Sequence, residues 1–292
     1  MRKHFFSTGS QALAKKNYIN PCNDLPGHFS TYNEYSPVNI SPMKKVQLLG
    51  ISITTGSYKE FVRNIIETAC RRISDYTCLA NVHMLIEAHN DGNFASIVSN
   101  ANIITPDGMP LAWALEMLYG IKQDRVAGMD LFPDLLNEAT AKKLPVYFYG
   151  GSLPLLEKTL DYLRSKYPDL PIAGSYSPPF RKLTAIEDEN VVEQINGSGA
   201  QLVFVVLGCP KQEKWMAAMK GRINAAMVGI GGALPVLVGI HRRAPGWMQY
   251  AGLEWMYRLT QEPMRLFRRY SVTNSLFLYI LLKEYIRVKF AK

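Results

Sequence analysis

The chain has 292 residues, 48% of them apolar, enough to bury one sizeable core or two small ones. Four scattered cysteines (Cys22, Cys70, Cys78 and Cys209) form no CxxC pair, which excludes a disulfide framework and a thiolate zinc site and points to a reducing compartment. The net charge of +9 is uneven: residues 1–45 carry +4, residues 46–241 carry −2 and residues 242–292 carry +7, so a near-neutral body has basic ends.

Basic ends suit an anionic surface or a phosphorylated ligand, and equally a solvated tail that confers solubility. Residues 1–45 are rich in Ser, Asn, Pro and Tyr without periodicity, and lack the apolar run of a signal peptide. They read as a mobile extension. Residues 46–53 (VQLLGISI) form the first predicted strand. Ser57 and Glu60 then fit a capping box that opens a helix to about residue 72. A strand over 77–83, a helix over 84–100 and a strand over 102–105 follow, the last running into Pro106-Asp107-Gly108. Residues 110–119 and 130–142 are helical in pattern.

A strand over 146–149 ends in Gly150-Gly151-Ser152 and feeds a helix over 154–166. Residues 171–173 form a short strand and 186–196 a helix. Residues 201–207 (QLVFVVL) are apolar throughout, as in a strand buried on both faces, and 225–230 form the last strand. Strands alternating with helices predict an α/β domain, a parallel sheet flanked by helices, over residues 46–240. Residues 241–292 form a helical, basic C-terminal appendage. Helices are expected over 247–259 and 263–270, with Pro263 starting the second or kinking the first. Arg258, Glu262, Arg265 and Arg269 fall at spacings of 4, 3 and 4, one helix face if the axis stays continuous, with Arg268 beside it. The apolar run 276–282 is too short to span a bilayer. It suits a helix lying on an anionic membrane, or a terminal helix docked on protein.

Ligands of α/β sheets bind at the carboxyl ends of strands. There the sequence places Asn81 and His83, then Asp107, then Gly150-Gly151, then Gly208 to Glu213. Paired glycines before a helix let backbone N–H groups approach a phosphate, though a tight turn needs them too. Asp107 is a turn aspartate or a carboxylate able to take a proton from a hydroxyl. Lys211 and Gln212 reach substrate oxygens or simply occupy a first helical turn. Gly229-Ile-Gly231-Gly232-Ala-Leu234 fails the dinucleotide fingerprint at its last position, and no Walker loop, HExxH or Asp-x-Asp is present. With no metal motif, the arginine-rich tail is the store of cations for a leaving diphosphate.

The combination resembles the WecG/TagA/CpsF family of bacterial glycosyltransferases. The resemblance rests on LLGISI, LANVHML, ITPDGMPLAW, RVAGMDLF, FYGGS, VVLGCPKQEKWM, VGIGGAL, RRAPGWMQYAGLEWMYRL and EPMRLFRRY, in order over about residues 46–270. It implies a Rossmann-like core and inverting transfer of a sugar (N-acetylmannosamine, its uronic acid or glucose) from a UDP-sugar. The acceptor it implies is a polyprenyl-diphosphate-linked saccharide, with no metal or other cofactor. Asp107 matches the family's proposed base, Asn81 its pocket asparagine and Gln212 the glutamine of its P-K-Q-E motif. Arg258, Arg265 and Arg268 match appendage arginines that close over the diphosphate. Arg125, which opens RVAGMDLF, Gly150, Gly151 and Lys211 join the substrate-binding set. A threonine found in some relatives is Leu79 here.

The expected setting is the inner face of the cytoplasmic membrane, with peripheral attachment to anionic lipid and no nucleic acid partner. Homo-oligomers through apolar surface that the appendage otherwise covers belong to what the resemblance implies, though no residue pattern decides them. Two other readings remain at this point. One is a nucleotide-dependent oxidoreductase on the same architecture. The other is a non-catalytic basic module for nucleic acid or membrane.

Overall fold

The computed structural model describes residues 42–290. The mobile extension expected over 1–45 lies almost wholly outside the described residues. The chain opens with an antiparallel hairpin, β1 (Lys45–Leu48) and β2 (Ile51–Thr54), where a single strand over 46–53 was predicted. Leu49 and Gly50, both at positive φ (49° and 103°), make the two-residue turn. An apolar leucine in the turn hides it from a reading by periodicity.

Helix α1 (Tyr58–Cys70) starts at the Ser57–Glu60 box, where Glu60 Oε2 accepts from the Ser57 N–H at 2.7 Å. Strand β3 (Asp75–Ala80) stops three residues short of the predicted end. Asn81 caps α2 (Val82–Asn90) by accepting from the Met84 N–H at 3.1 Å, so His83 sits on a helix and not on a strand. The single helix expected over 84–100 is two. Asp91 caps α3 (Gly92–Ser99) by accepting from the Asn93 and Phe94 N–H groups.

Next come β4 (Ile103–Pro106), α4 (Met109–Tyr119), α5 (Gly128–Ala141), β5 (Val146–Gly150), α6 (Leu153–Lys166) and β6 (Ile172–Tyr176). The body closes with α7 (Ala185–Gly197), β7 (Leu202–Val206), α8 (Lys211–Met219), β8 (Ala226–Gly229) and the short α9 (Ala233–Leu237). Strands β3 to β8 form one sheet in the order β4-β3-β8-β7-β5-β6, every pair parallel. The sheet is therefore the predicted α/β, Rossmann-like one. Side chains alternate between its faces. Tyr147, Tyr149, Val203, Val205 and Met227 enter one buried layer, and Val146, Phe148, Phe204 and Val228 the other. In the second layer Phe132 and Phe204 meet edge to face at 4.8 Å, and Phe148 stacks on Phe204 at 5.5 Å.

Because all six strands are parallel, β3, β4, β7 and β8 end on the same edge. The appendage covers that edge. It comprises α10 (Gly246–Tyr250), α11 (Glu254–Gln261) and α12 (Pro263–Phe290). Pro263 starts α12 after Glu262 leaves helical geometry (φ −135°, ψ 60°), which resolves the predicted alternative of a kink. The helix expected over 263–270 and the apolar run after it are one helix of 28 residues. Among the described residues no helix is long and apolar enough to cross a membrane. Phe277 buries itself in the first layer with Leu281 and Tyr285 packed beside it, and Trp255 meets Tyr270 edge to face.

Helix α5 ends in a Schellman-type cap. The Leu144 N–H donates to Ala139 O at 2.8 Å, and the exposed Lys143 sits at φ 51°. A side chain in the left-handed region is strained and this one is solvated. Lys143→Gly is therefore expected to stabilise the protein by about 1 kcal/mol, read as a higher urea midpoint at unchanged m-value.

Candidate active site

One cavity of about 640 Å³ opens at the ends of β3, β4, β7 and β8 and is roofed by the appendage. Asn81, Asp107, Arg125, Gln212, Arg258 and Arg265 line it together. Gly150, Gly151, Lys211 and Arg268 are not among its lining residues, although all four were placed with the substrate-binding set.

Each has a physical reason. Gly150 has φ 100°, and a Cβ there would lie 2.6 Å from Val206 O, so this glycine lets β5 close on β7. Gly151, at φ 78°, turns the chain into α6, and its carbonyl accepts from Ser177 Oγ at 2.6 Å. Lys211 points to solvent from the first turn of α8. Along α12, Arg265 and Arg269 are one turn apart and line the cavity, while the exposed Arg268 faces away. The helical spacing of the sequence selects Arg269. The family motif selected its neighbour.

Asp107 follows β4. Its N–H donates to Ala80 O at 2.7 Å, tying it to β3, and its Oδ1 accepts from the Gly128 N–H at 3.3 Å. Gly108, at φ 113°, then swings the chain into α4. Burial first, and the charge of Glu254 second, push the Asp107 carboxyl up to about 6. The Gly128 N–H, Arg258 and Arg125 oppose them.

Gln212 is buried on the first turn of α8. Its Nε2 donates to Glu213 Oε1 at 2.7 Å and its Oε1 accepts from the Gly208 N–H at 3.3 Å. Glu213 is itself fully buried, which raises its carboxyl above the usual range. A Cβ on Gly229 would lie 2.8 Å from Gln212 Nε2, and one on Gly232 would lie 2.6 Å from Arg258 Nη2. These glycines make room for two cavity side chains.

Arg125 is shared. Its Nη1 donates to Glu254 Oε2 at 2.8 Å and its Nη2 to Asp130 Oδ2 at 2.8 Å. Arg243 also binds Asp130, and it donates to Gln249 Oε1 at 3.0 Å. Arg125 thus ties the body to the appendage. Sequence reasoning missed Glu254, which no motif distinguished from a first-turn helix acid. It lines the cavity, and its Oε1 is buried with no partner. Burial first, and the charge of Arg269 second, lower the pKa of His83, also in the lining, against the opposing charge of Glu87.

The sequence profile described as the glycosyl transferase WecG/TagA/CpsF family matches residues 46–291. The chain belongs to this family. Members of the WecG/TagA/CpsF family are glycosyltransferases, and so is this chain, which sets aside the oxidoreductase and non-catalytic readings. The matched range runs on to residue 291, through the C-terminal stretch for which the sequence offered no motif. One relative, from Bacillus subtilis strain 168, is an N-acetylglucosaminyldiphosphoundecaprenol N-acetyl-β-D-mannosaminyltransferase. It is 32% identical over 204 residues, 69% of this chain and 77% of its own. A Bacillus spizizenii protein of the same description is 34% identical over 194 residues, 66% of this chain and 74% of its own.

A carboxyl held near 6 in the folded protein, against 3.8 unfolded, binds its proton more tightly when folded. It supports the fold below about pH 4 and loses that contribution as pH rises through 6. Asp107→Asn keeps the acceptor for Gly128. The variant is expected to be more stable than the parent at pH 8, by about 3 kcal/mol, and to lose most of that advantage at pH 4. Denaturant melts at the two pH values check this.

Proposed function

We propose that the protein transfers a sugar of the N-acetylmannosamine type, or glucose, from a UDP-sugar to a polyprenyl-diphosphate-linked saccharide. The reaction inverts the anomeric carbon, needs no metal, and serves synthesis of a cell-surface polymer. One observation carries the reading: a single carboxylate raised to about 6 and three appendage arginines (Arg258, Arg265 and Arg269) share one cavity. The names of the Bacillus relatives supply the acceptor class and one candidate sugar.

In this mechanism the acceptor hydroxyl attacks the anomeric carbon as the bond to the UDP oxygen breaks, and Asp107 takes the hydroxyl proton. A base raised to about 6 is ionised at neutral pH yet stronger than an ordinary carboxylate. Asn81, whose Oδ1 is occupied by its cap, offers its amide nitrogen to the sugar, and Gln212 is fixed beside it. Arg258 takes the charge that develops on the departing diphosphate, a kind of contact worth about 3–4 kcal/mol in other enzymes. Leu79 presents hydrocarbon to the cavity and packs against Gly128, so the sugar meets an apolar contact at that point.

The appendage also fits a surface role. Tyr279, Leu282, Ile286 and Phe290 are exposed on α12 among Lys283, Arg287 and Lys289, as suits peripheral attachment to an anionic cytoplasmic leaflet.

UDP release in EDTA, from a panel of UDP-sugars with a lipid-linked saccharide acceptor, tests the reading. Acceptor-dependent release with one donor is expected, reduced at least about a hundredfold in Asp107→Asn while donor binding persists. Turnover that requires added metal would overturn metal independence. Lost donor binding in Asp107→Asn would make Asp107 structural. The acid limb of kcat/KM is expected near pH 6. Among the groups facing Asp107, Glu254 raises it while Arg125, Arg258 and the Gly128 N–H lower it. Glu254→Gln should therefore move that limb to lower pH, and an unmoved limb would remove Glu254 from control of the base.

A further inference from the structure

The cavity has two ends of opposite chemistry. At the strand ends it is polar. Along α12 its lining runs from Arg265 and Arg269 through the polar Tyr270, Thr273 and Asn274 to Phe277, Leu278 and Leu281, at helical spacing. One helix face thus passes from cations to hydrocarbon over about 24 Å at 1.5 Å per residue. Helix α4 lies against α12 and adds Met109, Trp113 and Met117 to the lining.

Three of these apolar side chains are wet. Trp113, Met117 and Leu278 are 46%, 42% and 63% exposed, whereas Leu111, Leu115 and Phe277 beside them are buried. Large apolar groups that line a cavity and still meet water mark a binding surface. They turn into the same cavity as Asp107, which separates them from Tyr279, Leu282 and Ile286 on the outer part of α12.

Resting on the transferase reading above, we propose that the apolar end of the cavity, between α4 and α12, binds the first isoprenoid units of the acceptor, with Arg265 and Arg269 on its diphosphate. The order of chemistry in the protein follows the order in such a molecule. The saccharide hydroxyl meets Asp107, the diphosphate meets the arginines, and the hydrocarbon meets Trp113, Met117, Leu278 and Leu281. A sugar nucleotide alone has no use for that last group. Acceptor recognition therefore begins inside the protein and does not rest on membrane attachment alone.

The test compares two acceptors in detergent-free solution that share saccharide and diphosphate. One ends in a short prenyl chain and the other in a methyl group. The wild-type enzyme is expected to show a KM lower by about tenfold or more for the prenyl acceptor. Met117→Ser and Leu278→Ser, both at exposed positions, are expected to shrink that ratio whatever their absolute rates. Equal KM values in the wild type would remove the subsite while leaving the transferase reading intact. Variants that keep the full preference but lose binding to anionic vesicles would reassign these residues to the membrane surface and overturn the proposal. Absence of turnover with either acceptor and every UDP-sugar would bring down both readings.

Discussion

The Arg125 guanidinium, gripped by Asp130 from the body and by Glu254 from the appendage, is the interaction on which the site depends. Arg243 and Gln249 extend it into a network that ties the segment after β8 to the start of α5. The network is half-buried, so solvent screens part of its charge, but its several charge-assisted hydrogen bonds act together as a tie. The consequence is geometric. Arg258, Arg265 and Arg269 lie on the appendage, Asp107, Asn81 and Gln212 on the body, and only the docked arrangement puts all six around one cavity. The cavity is therefore composite, with Asp107 on the body and Arg258, Arg265 and Arg269 on the appendage.

The glycines near the cavity serve the same arrangement. Gly229 and Gly231 lie against the Gln212 amide, and Gly232 against the Arg258 guanidinium. A dinucleotide fold uses glycines in a similar place to admit a pyrophosphate to the backbone. Here the space beside them is taken by protein side chains, and Leu234, where the fingerprint fails, is buried in the second layer. Gly150 answers to the sheet, since any Cβ there would strike the β7 carbonyl at Val206.

Much of the fold was legible because burial on both faces leaves an unmistakable trace. Residues 201–207 read as a strand buried on both faces and 146–149 as a strand, and β7 and β5 lie there. The Ser57 box located α1, and the spacing of Arg265 and Arg269 located the charged face of α12, whereas the break at Glu262 leaves Arg258 on α11, off the single helix face that the spacing implied. What escaped were features set by single polar or chiral details. The Leu49-Gly50 turn lies inside an apolar run. Asn81 and Asp91 act as caps, a role composition does not separate from loop or helix membership. Glu254 was illegible for another reason: its importance comes from a contact with Arg125, 129 residues away in sequence.

Glu254 and Arg258 are one helical turn apart on α11, and they act on Asp107 with opposite sign. Burial and Glu254 raise its carboxyl, Arg258 and Arg125 lower it, and the balance leaves it near 6. On the proposed chemistry, arginines alone closing over Asp107 would give a weaker base just where cations are needed for a leaving diphosphate. Placing an acid and a base on adjacent turns of one docked helix relieves that conflict, because the carboxylate keeps the base basic while the guanidinium serves the other side of the reaction. Docking then supplies both at once. An undocked appendage would leave Asp107 solvated, nearer an ordinary carboxylate, and without a cation to assist departure. On the proposed chemistry, the Arg125 tie therefore holds the acid, the cation and Asp107 in the one arrangement that serves all three.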